Sequence, residues 1–243
     1  MIPIYLSVVM PVYNDENLIA ESIRKVEAFM VLKEWEWELI ISNDGSTDGT
    51  KDIIEEIISR RSDKRVRLVS LDKNMKKGAA VRQGVLASKG EFVLVTDTDL
   101  SSPIKEVDKL LTYLENGCQI AIGSRYSRPA VRGLVKQSFK RQLSGKIFNC
   151  LVRGIALKGF SDTQCGFKCF EGQTARKLFQ DQKIDGFCYD VEILCLAKKA
   201  RLAIKEVPVM WRQADDTHVR LFDDSLTMIR DLWTLRKKYL KFL

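Results

Sequence analysis

The sequence predicts an α/β protein with a mostly parallel central sheet flanked by helices, and three observations predict it. Short β-branched runs alternate with helical patterns through the first half of the chain, the rhythm of strand, crossover helix and parallel strand. A composition of 45% hydrophobic and 30% charged residues over 243 positions is enough to bury a core. No internal repeat, low-complexity tract or linker interrupts the chain, so residues 1–243 are expected to form a single domain with two halves, 1–122 and 123–243.

The elements follow in order. A β-branched run predicts a strand over 4–10, and Leu18, Ile19, Ile23, Val26, Phe29 and Met30 recur at helical spacing behind the cap candidates Asn14 and Asp15. A second strand is expected over 38–42. The next helix stands behind Ser46 and Asp48 and carries Ile53, Ile54, Ile57 and Ile58. Then come a strand over 66–70, a small-residue helix over 76–88, a strand over 91–96, a helix over 103–115 with Val107, Leu110, Leu111 and Leu114, and a short strand over 119–122. In such a sheet ligands belong at the carboxyl ends of the strands.

After Gly123 the rhythm changes. A basic amphipathic stretch carries Phe139, Leu143, Ile147, Cys150, Leu151 and Ile155, a stripe that suits either a core or a membrane interface. A strand is predicted over 166–170, a helix over 191–199, a strand over 203–211, and a terminal helix with Leu226, Ile229, Leu232, Trp233, Leu235 and Tyr239.

The formal charge of +8 is concentrated: residues 123–168 hold ten Lys/Arg against the single acid Asp162. Unless it is only a solvated face, a patch of one sign implies an anionic partner such as phosphate groups, anionic lipid heads or nucleic acid. The six cysteines, at 118, 150, 165, 169, 188 and 195, form no paired framework, and no secretory leader precedes the first strand. A reducing, cytoplasmic setting is therefore expected. No run approaches the roughly 18 apolar residues that span a bilayer; even 147–157 is broken by Arg153 and Gly154. Membrane contact is expected to be peripheral.

Asp97-Thr98-Asp99 stands directly after a predicted strand, where two carboxylates can offer hard oxygen ligands to Mg²⁺ or Mn²⁺. Alone, the triplet reads more readily as a polar strand end with a helix cap. Asp44 follows the second strand, where a carboxylate can accept hydrogen bonds from a base or ribose, with Ser46 or Asp48 capping the helix behind it. Pro11, Tyr13 and Asp15 place an aromatic ring and an acid at the end of the first strand. Lys77 and Gly78 open a helix, where a cation and free main-chain N–H groups suit a phosphate. Asp190 and Glu192, two apart on a helix, point to different faces, and either catalysis or a buttressing duty for Glu192 fits. Cys165 and Cys169 have zinc-like spacing but lack a second ligand pair, and the GFKCF run around Cys169 is a predicted strand.

The motifs PVYNDEN, NDGSTDGT, NMKKGAAVRQG, DTDLSSP and GSRY, in this order and spacing, resemble the inverting nucleotide-sugar glycosyltransferases of the second family, which have the GT-A fold. Further on, DTQCGFKCF, GFCYDVEIL, IKEVPVMW and DDSLTMIRDL resemble the polyprenyl-phosphate branch, whose members make dolichyl-phosphate sugars. The resemblance implies that Pro11, Tyr13 and Asp15 line the nucleotide pocket, that Asp44 reads the base, and that Lys77 and Gly78 lie near the ribose or diphosphate. Asp97, Thr98 and Asp99 would face the donor diphosphate, with Asp97 and Asp99 at the metal and Asp99 its direct ligand. Arg125, Arg141, Ser144 and Arg212 would hold the acceptor phosphate, and Gln164 would lie near the sugar. Residues 1–122 then form a donor half and 123–243 an acceptor and membrane-surface half. Three departures stand out: Asn43 where relatives often carry an acid, Lys76 in place of a usual glycine, and Asp216-Thr217-His218 where relatives carry Gly-Ser and a cation.

The implied chemistry is in-line attack at an anomeric carbon, with charge growing on the departing nucleoside diphosphate. A hydroxyl acceptor needs a general base. A lipid monophosphate, with a second pKa of about 6, is already anionic and needs cations to position it. UDP-glucose is the expected donor and GDP-mannose the alternative; a saccharide hydroxyl is the alternative acceptor. A non-enzymatic module binding anionic membranes or nucleic acid would account for the basic segment but leave the acidic residues unexplained. No nucleic-acid-binding motif is present, so no nucleic-acid partner is expected.

Overall fold

The structure is a computed structural model and describes residues 3–125, 159–212 and 223–239. Seven strands, β1 (Leu6–Val12), β2 (Trp37–Asn43), β3 (Val66–Ser70), β4 (Phe92–Val95), β5 (Ile120–Ser124), β6 (Lys168–Glu171) and β7 (Ile204–Pro208), form one sheet in the order β3-β2-β1-β4-β6-β5-β7. Every neighbouring pair is parallel except those of β6, which runs antiparallel between β4 and β5. The helices are α1 (Ile19–Met30), α2 (Thr50–Ser59), α3 (Lys77–Ala87), α4 (Val107–Glu115), α5 (Gly172–Asp181), α6 (Tyr189–Lys199) and α7 (Asp223–Tyr239).

Strand alternation divides the core in two. Val9, Ile40, Val93, Val95, Ile120, Ile122 and Phe170 pack with Val81 and Val85 of α3 and with α5, α6 and α7. Their sequence neighbours Val8, Met10, Leu39, Ile41, Leu94, Ala121 and Cys169 pack with α1, Ile54 of α2 and α4. β1, β2 and β4 are buried throughout, as expected of central strands covered on both faces. Each fully buried Val, Ile or Leu contributes about 1.5–3 kcal/mol of hydrophobic stabilisation.

Several sequence expectations are corrected. The first strand begins two residues later and runs on to Val12, which carries Pro11 into the sheet. Asn14 and Asp15 do not cap α1, whose N-cap is Leu18, without a side-chain bond. Asn14 adopts a left-handed turn, and its side chain reaches the loop after β2. Asp48 accepts the Thr50 N–H at 3.0 Å, one residue before the Gly49 N-cap of α2, whereas the Ser46 hydroxyl turns back to Asn43. The helix expected over 103–115 opens with a 3₁₀ turn, Ile104–Glu106. Helix α5 was not foreseen: only Ala175, Leu178 and Phe179 are apolar and buried in it, too few to make a periodic signal. Its start is set by Glu171, whose carboxylate accepts the Thr174 N–H. The basic stretch 126–158 and Asp216-Thr217-His218 lie outside the described residues.

Candidate functional site

The carboxyl ends of β1, β2 and β4 and the start of α3 meet at one edge of the sheet, and hydrogen bonds tie them together. Asp44 N–H donates to Val12 O at 2.9 Å. The Thr98 hydroxyl donates to Pro11 O at 2.9 Å. Asn14 N–H donates to Ser46 Oγ at 3.0 Å, while Asn14 Oδ1 accepts the Thr47 N–H at 2.8 Å. Asp15 N–H reaches Thr50 Oγ1 at 2.9 Å. Tyr13 and Asp15 stand half-buried at this edge, and Pro11 is buried in β1. Asn43 acts as a turn acceptor, taking the Ser46 N–H and hydroxyl at 3.1 and 2.6 Å, work that an amide oxygen does as well as a carboxylate.

Asp44 is buried, and its Oδ1 accepts the Met75 N–H at 2.7 Å. Burial pushes its carboxyl above the usual carboxylate range, against the lowering effect of the Met75 and Lys76 N–H groups and the Lys76 ammonium. The loop that supplies those groups rests on Gly45, whose φ of +65° and close approach to the Lys73–Asn74 backbone leave no room for a Cβ.

The start of α3 differs from the sequence expectation. Two of its main-chain donors are not open to a phosphate: Gly78 N–H donates to Asp185 O at 2.7 Å, and Ala79 N–H is shared between Lys76 O and Asp185 O at 3.0 and 3.3 Å. Gly78 is required for this closure, since a Cβ would lie 2.7 and 2.8 Å from the Ile184 and Asp185 carbonyl oxygens. The covering segment is pinned by Glu192, whose Oε2 accepts the N–H groups of Lys183 and Ile184 at 2.9 and 2.7 Å. That is the buttressing duty, one of the two uses left open for Glu192.

Lys77 turns to Asp97 instead, with Nζ 2.5 Å from Oδ1. Burial alone would push the Asp97 carboxyl up. The Lys77 ammonium, helped by Lys168 and Arg125, brings it below the ordinary range, and Lys77 is raised in return. Asp99, two residues on, is raised by burial and by the Asp97 charge; its oxygens accept the Ser101 N–H and hydroxyl at 2.9 and 2.7 Å. Thr98 between them is buried, so its side chain locks the triplet to β1 rather than lining the opening.

From the other half of the chain, Gly166 lies against the Asp97 carboxylate so closely that a Cβ would overlap it. This brings the segment before β6 to the acidic edge. Arg125, just past β5, is bound by Asp162: its N–H, Nε and Nη2 donate to the carboxylate at 3.0, 2.6 and 2.8 Å. Asp162 is 1% exposed, and Arg125 holds its carboxyl well below the usual range despite burial. Sequence reasoning missed Asp162 as a site residue, though it was the one acid in the basic segment. Gln164 is half-buried, its N–H 3.3 Å from Asp162 Oδ1. Arg212 N–H bonds Ser101 O at 2.8 Å, which places it beside the Asp97–Asp99 loop. A second, deeper ion pair joins Lys168 to Asp190 at 2.6 Å; burial raises the Asp190 carboxyl. Arg141 and Ser144 lie outside the described residues.

Among the described residues no group of three or more His, Cys, Asp or Glu converges as a metal cage. Cys165 and Cys169 are buried free thiols, and burial raises the former to about 11. The Asp97–Asp99 pair alone suits a small hard cation that completes its shell with ligand phosphates and water.

Residues 7–171 match the sequence profile of Glycosyl transferase family 2. The chain is 34% identical to the dolichyl-phosphate beta-glucosyltransferase of Dictyostelium discoideum, over 98% of its own length and 75% of the relative's. Identity, shares and name are the same for a relative from Saccharomyces cerevisiae. Among solved structures, glucosyl-3-phosphoglycerate synthase from Mycobacterium tuberculosis, in complex with Mn²⁺, UDP and glucosyl-3-phosphoglycerate, matches with a TM-score of 0.66 at 20% identity, covering 98% of this chain and 81% of that one. The likeness extends to the whole layered architecture and shows the GT-A fold.

Proposed function

The chain belongs to glycosyl transferase family 2, and from that premise we propose that it transfers a hexose, glucose from UDP-glucose in the first place, to a polyprenyl phosphate of the dolichyl type. The observation that carries the reading is the convergence of Asp44, Lys77, Asp97 and Asp99 on one sheet edge, in a chain similar over 98% of its length to relatives named for that reaction.

Each residue then has a task that its geometry suits. Asp44, fixed by Met75 N–H, orients the nucleoside, with Pro11, Tyr13 and Asp15 around it. Asp97 and Asp99 would hold Mg²⁺ or Mn²⁺, and they fit: such ions are bound by one or two carboxylates plus substrate phosphates rather than by all-protein cages. When bound, the ion supplies neutralising charge at the departing diphosphate. Thr98 and Ser101 keep the two carboxylates in register, and Gly166 leaves room for Asp97. Lys77 supplies a second positive charge at the same place, and Gly78 admits the segment that closes the helix start.

Residues 1–122 make up the donor half and residues 123–243 the acceptor half. Arg125, its guanidinium plane set by Asp162, holds the acceptor phosphate with Arg141, Ser144 and Arg212, and Gln164 lies by the sugar. An anionic phosphate attacks without a general base, so the acceptor half has to neutralise and aim it rather than deprotonate it. The ten Lys/Arg of residues 123–168 draw the protein to a membrane surface, on the cytoplasmic side. Among the described residues no helix is long and apolar enough to cross a membrane.

The test is a donor and acceptor matrix: labelled UDP-glucose and GDP-mannose, each with a short-chain polyprenyl phosphate and with a free saccharide. Transfer from UDP-glucose to the lipid phosphate is expected. Transfer to the saccharide alone would overturn the acceptor assignment, and transfer from GDP-mannose alone would overturn the donor.

A further inference from the structure

On β6 residues 168 and 170 share a face, and Phe170 packs there with Val93, Val95, Tyr189 and Ile193 in the core against α6. Lys168 stands in the same row, 3% exposed, at a place where an apolar side chain is the ordinary occupant. Its ammonium is met twice. Nζ lies 2.6 Å from Asp190 Oδ1, in the first turn of α6, and 2.5 Å from the Cys165 carbonyl oxygen. Two charges taken out of water stabilise a fold no better than an apolar pair of like volume, so stability alone gives no reason for this pair.

The sheet register gives one. β6 pairs antiparallel with β4, Phe170 opposite Val93 and Lys168 opposite Val95. Carried two residues on, that register sets Gly166 opposite Asp97, and there the two do meet, for a Cβ on Gly166 would overlap the Asp97 carboxylate. The path of the chain at Gly166 therefore limits where that carboxylate can stand. The chain bends at this residue, and the carbonyls on both sides of it are held. Phe167 O accepts the Gly123 N–H of β5 at 2.8 Å, and Cys165 O accepts the Lys168 ammonium. The second of these bonds runs through a side chain that is itself anchored on α6.

We propose that Lys168 is a positioning residue for the diphosphate end of the site: anchored on Asp190, its ammonium fixes the Cys165–Gly166 peptide against Asp97 and so sets where the Asp97 carboxylate can meet a metal ion. The inference rests on the reading of Asp97 and Asp99 as the metal-holding pair. Lys168→Met/Asp190→Leu removes both charges together, so the net charge beside Asp97 is unchanged and neither partner is left buried alone. Lys168→Gln/Asp190→Asn keeps a neutral pair that can still hydrogen-bond. Mn²⁺ is titrated with UDP present and followed by paramagnetic resonance, uridine is titrated calorimetrically, and melts of the metal-free proteins are recorded.

The apolar pair is expected to melt within about 2 °C of the parent or above it, and to bind Mn²⁺ on the order of tenfold more weakly with uridine affinity unchanged. The amide pair should recover part of the Mn²⁺ loss. Adding Gly166→Ala to the apolar pair should cost nothing further, because both changes act on the same carboxylate and are not additive. Mn²⁺ affinity equal to the parent's in the apolar pair would overturn the proposal, as would an equal loss for uridine or a full further loss from Gly166→Ala. An apolar pair that melts far below the parent would make the ion pair a strut of the fold and overturn it too. A parent protein that binds no Mn²⁺ with UDP present would sink the metal reading itself, a result distinct from the others.

Discussion

Replacing Arg125 by alanine takes a guanidinium away from Asp162, where Nε and Nη2 stand 2.6 and 2.8 Å from a carboxylate that is 1% exposed. Removing one partner of a buried pair leaves an uncompensated charge, at a cost of about 3–5 kcal/mol. Asp162 keeps the Arg125 and Gln164 main-chain donors at 3.0 and 3.3 Å, which argues for the lower end, about 3 kcal/mol. For a chain of this size that is a fall of roughly 6–12 °C in melting temperature. The pH dependence has a definite sign. Asp162 is depressed in the folded parent, so its contribution is present above the unfolded carboxyl value of about 3.9 and is lost as pH falls below it. In Arg125→Ala the main-chain donors and the Lys168 charge remain but the guanidinium is gone, so burial raises the carboxyl relative to the parent and the variant gains relative stability in acid. The gap between the two proteins should be widest near neutrality and close towards pH 4, and Arg125→Ala/Asp162→Asn should recover part of it. Melts followed by circular dichroism across that range are the assay. A pH-independent gap, or a variant melting within about 2 °C of the parent at neutral pH, would refute the reasoning. Below its own melting temperature Arg125→Ala should still bind UDP, while its use of the lipid phosphate collapses.

Two further predictions concern the frame of the acidic edge. Gly166→Ala should weaken Mn²⁺ binding, measured by paramagnetic resonance, by tenfold or so while melting close to the parent, since the new Cβ displaces the Asp97 carboxylate rather than core atoms; unchanged Mn²⁺ affinity would contradict the placement. Glu192→Ala should destabilise the fold by about 2–3 kcal/mol by orphaning the Lys183 and Ile184 N–H groups, with Glu192→Gln recovering most of it in a denaturant melt; equal losses in the two would point to charge rather than hydrogen bonding.

The sheet was legible because its strands are short apolar runs ended by turn residues: the ranges expected for β2 and β3 match within a residue or two. The acidic edge was legible because Asp44, Asp97 and Asp99 follow strands, and strand ends of a parallel sheet share one side. Partnerships between distant residues were not legible. Nothing local says that Asp185 O closes the start of α3, that Asp162 holds Arg125, or that Glu192 carries the 183–184 backbone, because each contact depends on how the second half packs on the first. Helix α5 escaped for a different reason: one face of three small or apolar residues is enough when α3 lies against it, and too little to stand out in a polar run.

The most direct measurement of the central claim is the initial rate at which label from UDP-glucose enters an organic-extractable, mild-acid-labile product, at varied polyprenyl-phosphate concentration, with Mn²⁺ and then with excess chelator. The account predicts a saturable, lipid-phosphate-dependent rate that chelator abolishes and that Asp99→Ala lacks although it melts like the parent. A rate indifferent to the lipid phosphate, or undiminished in chelator, would contradict it.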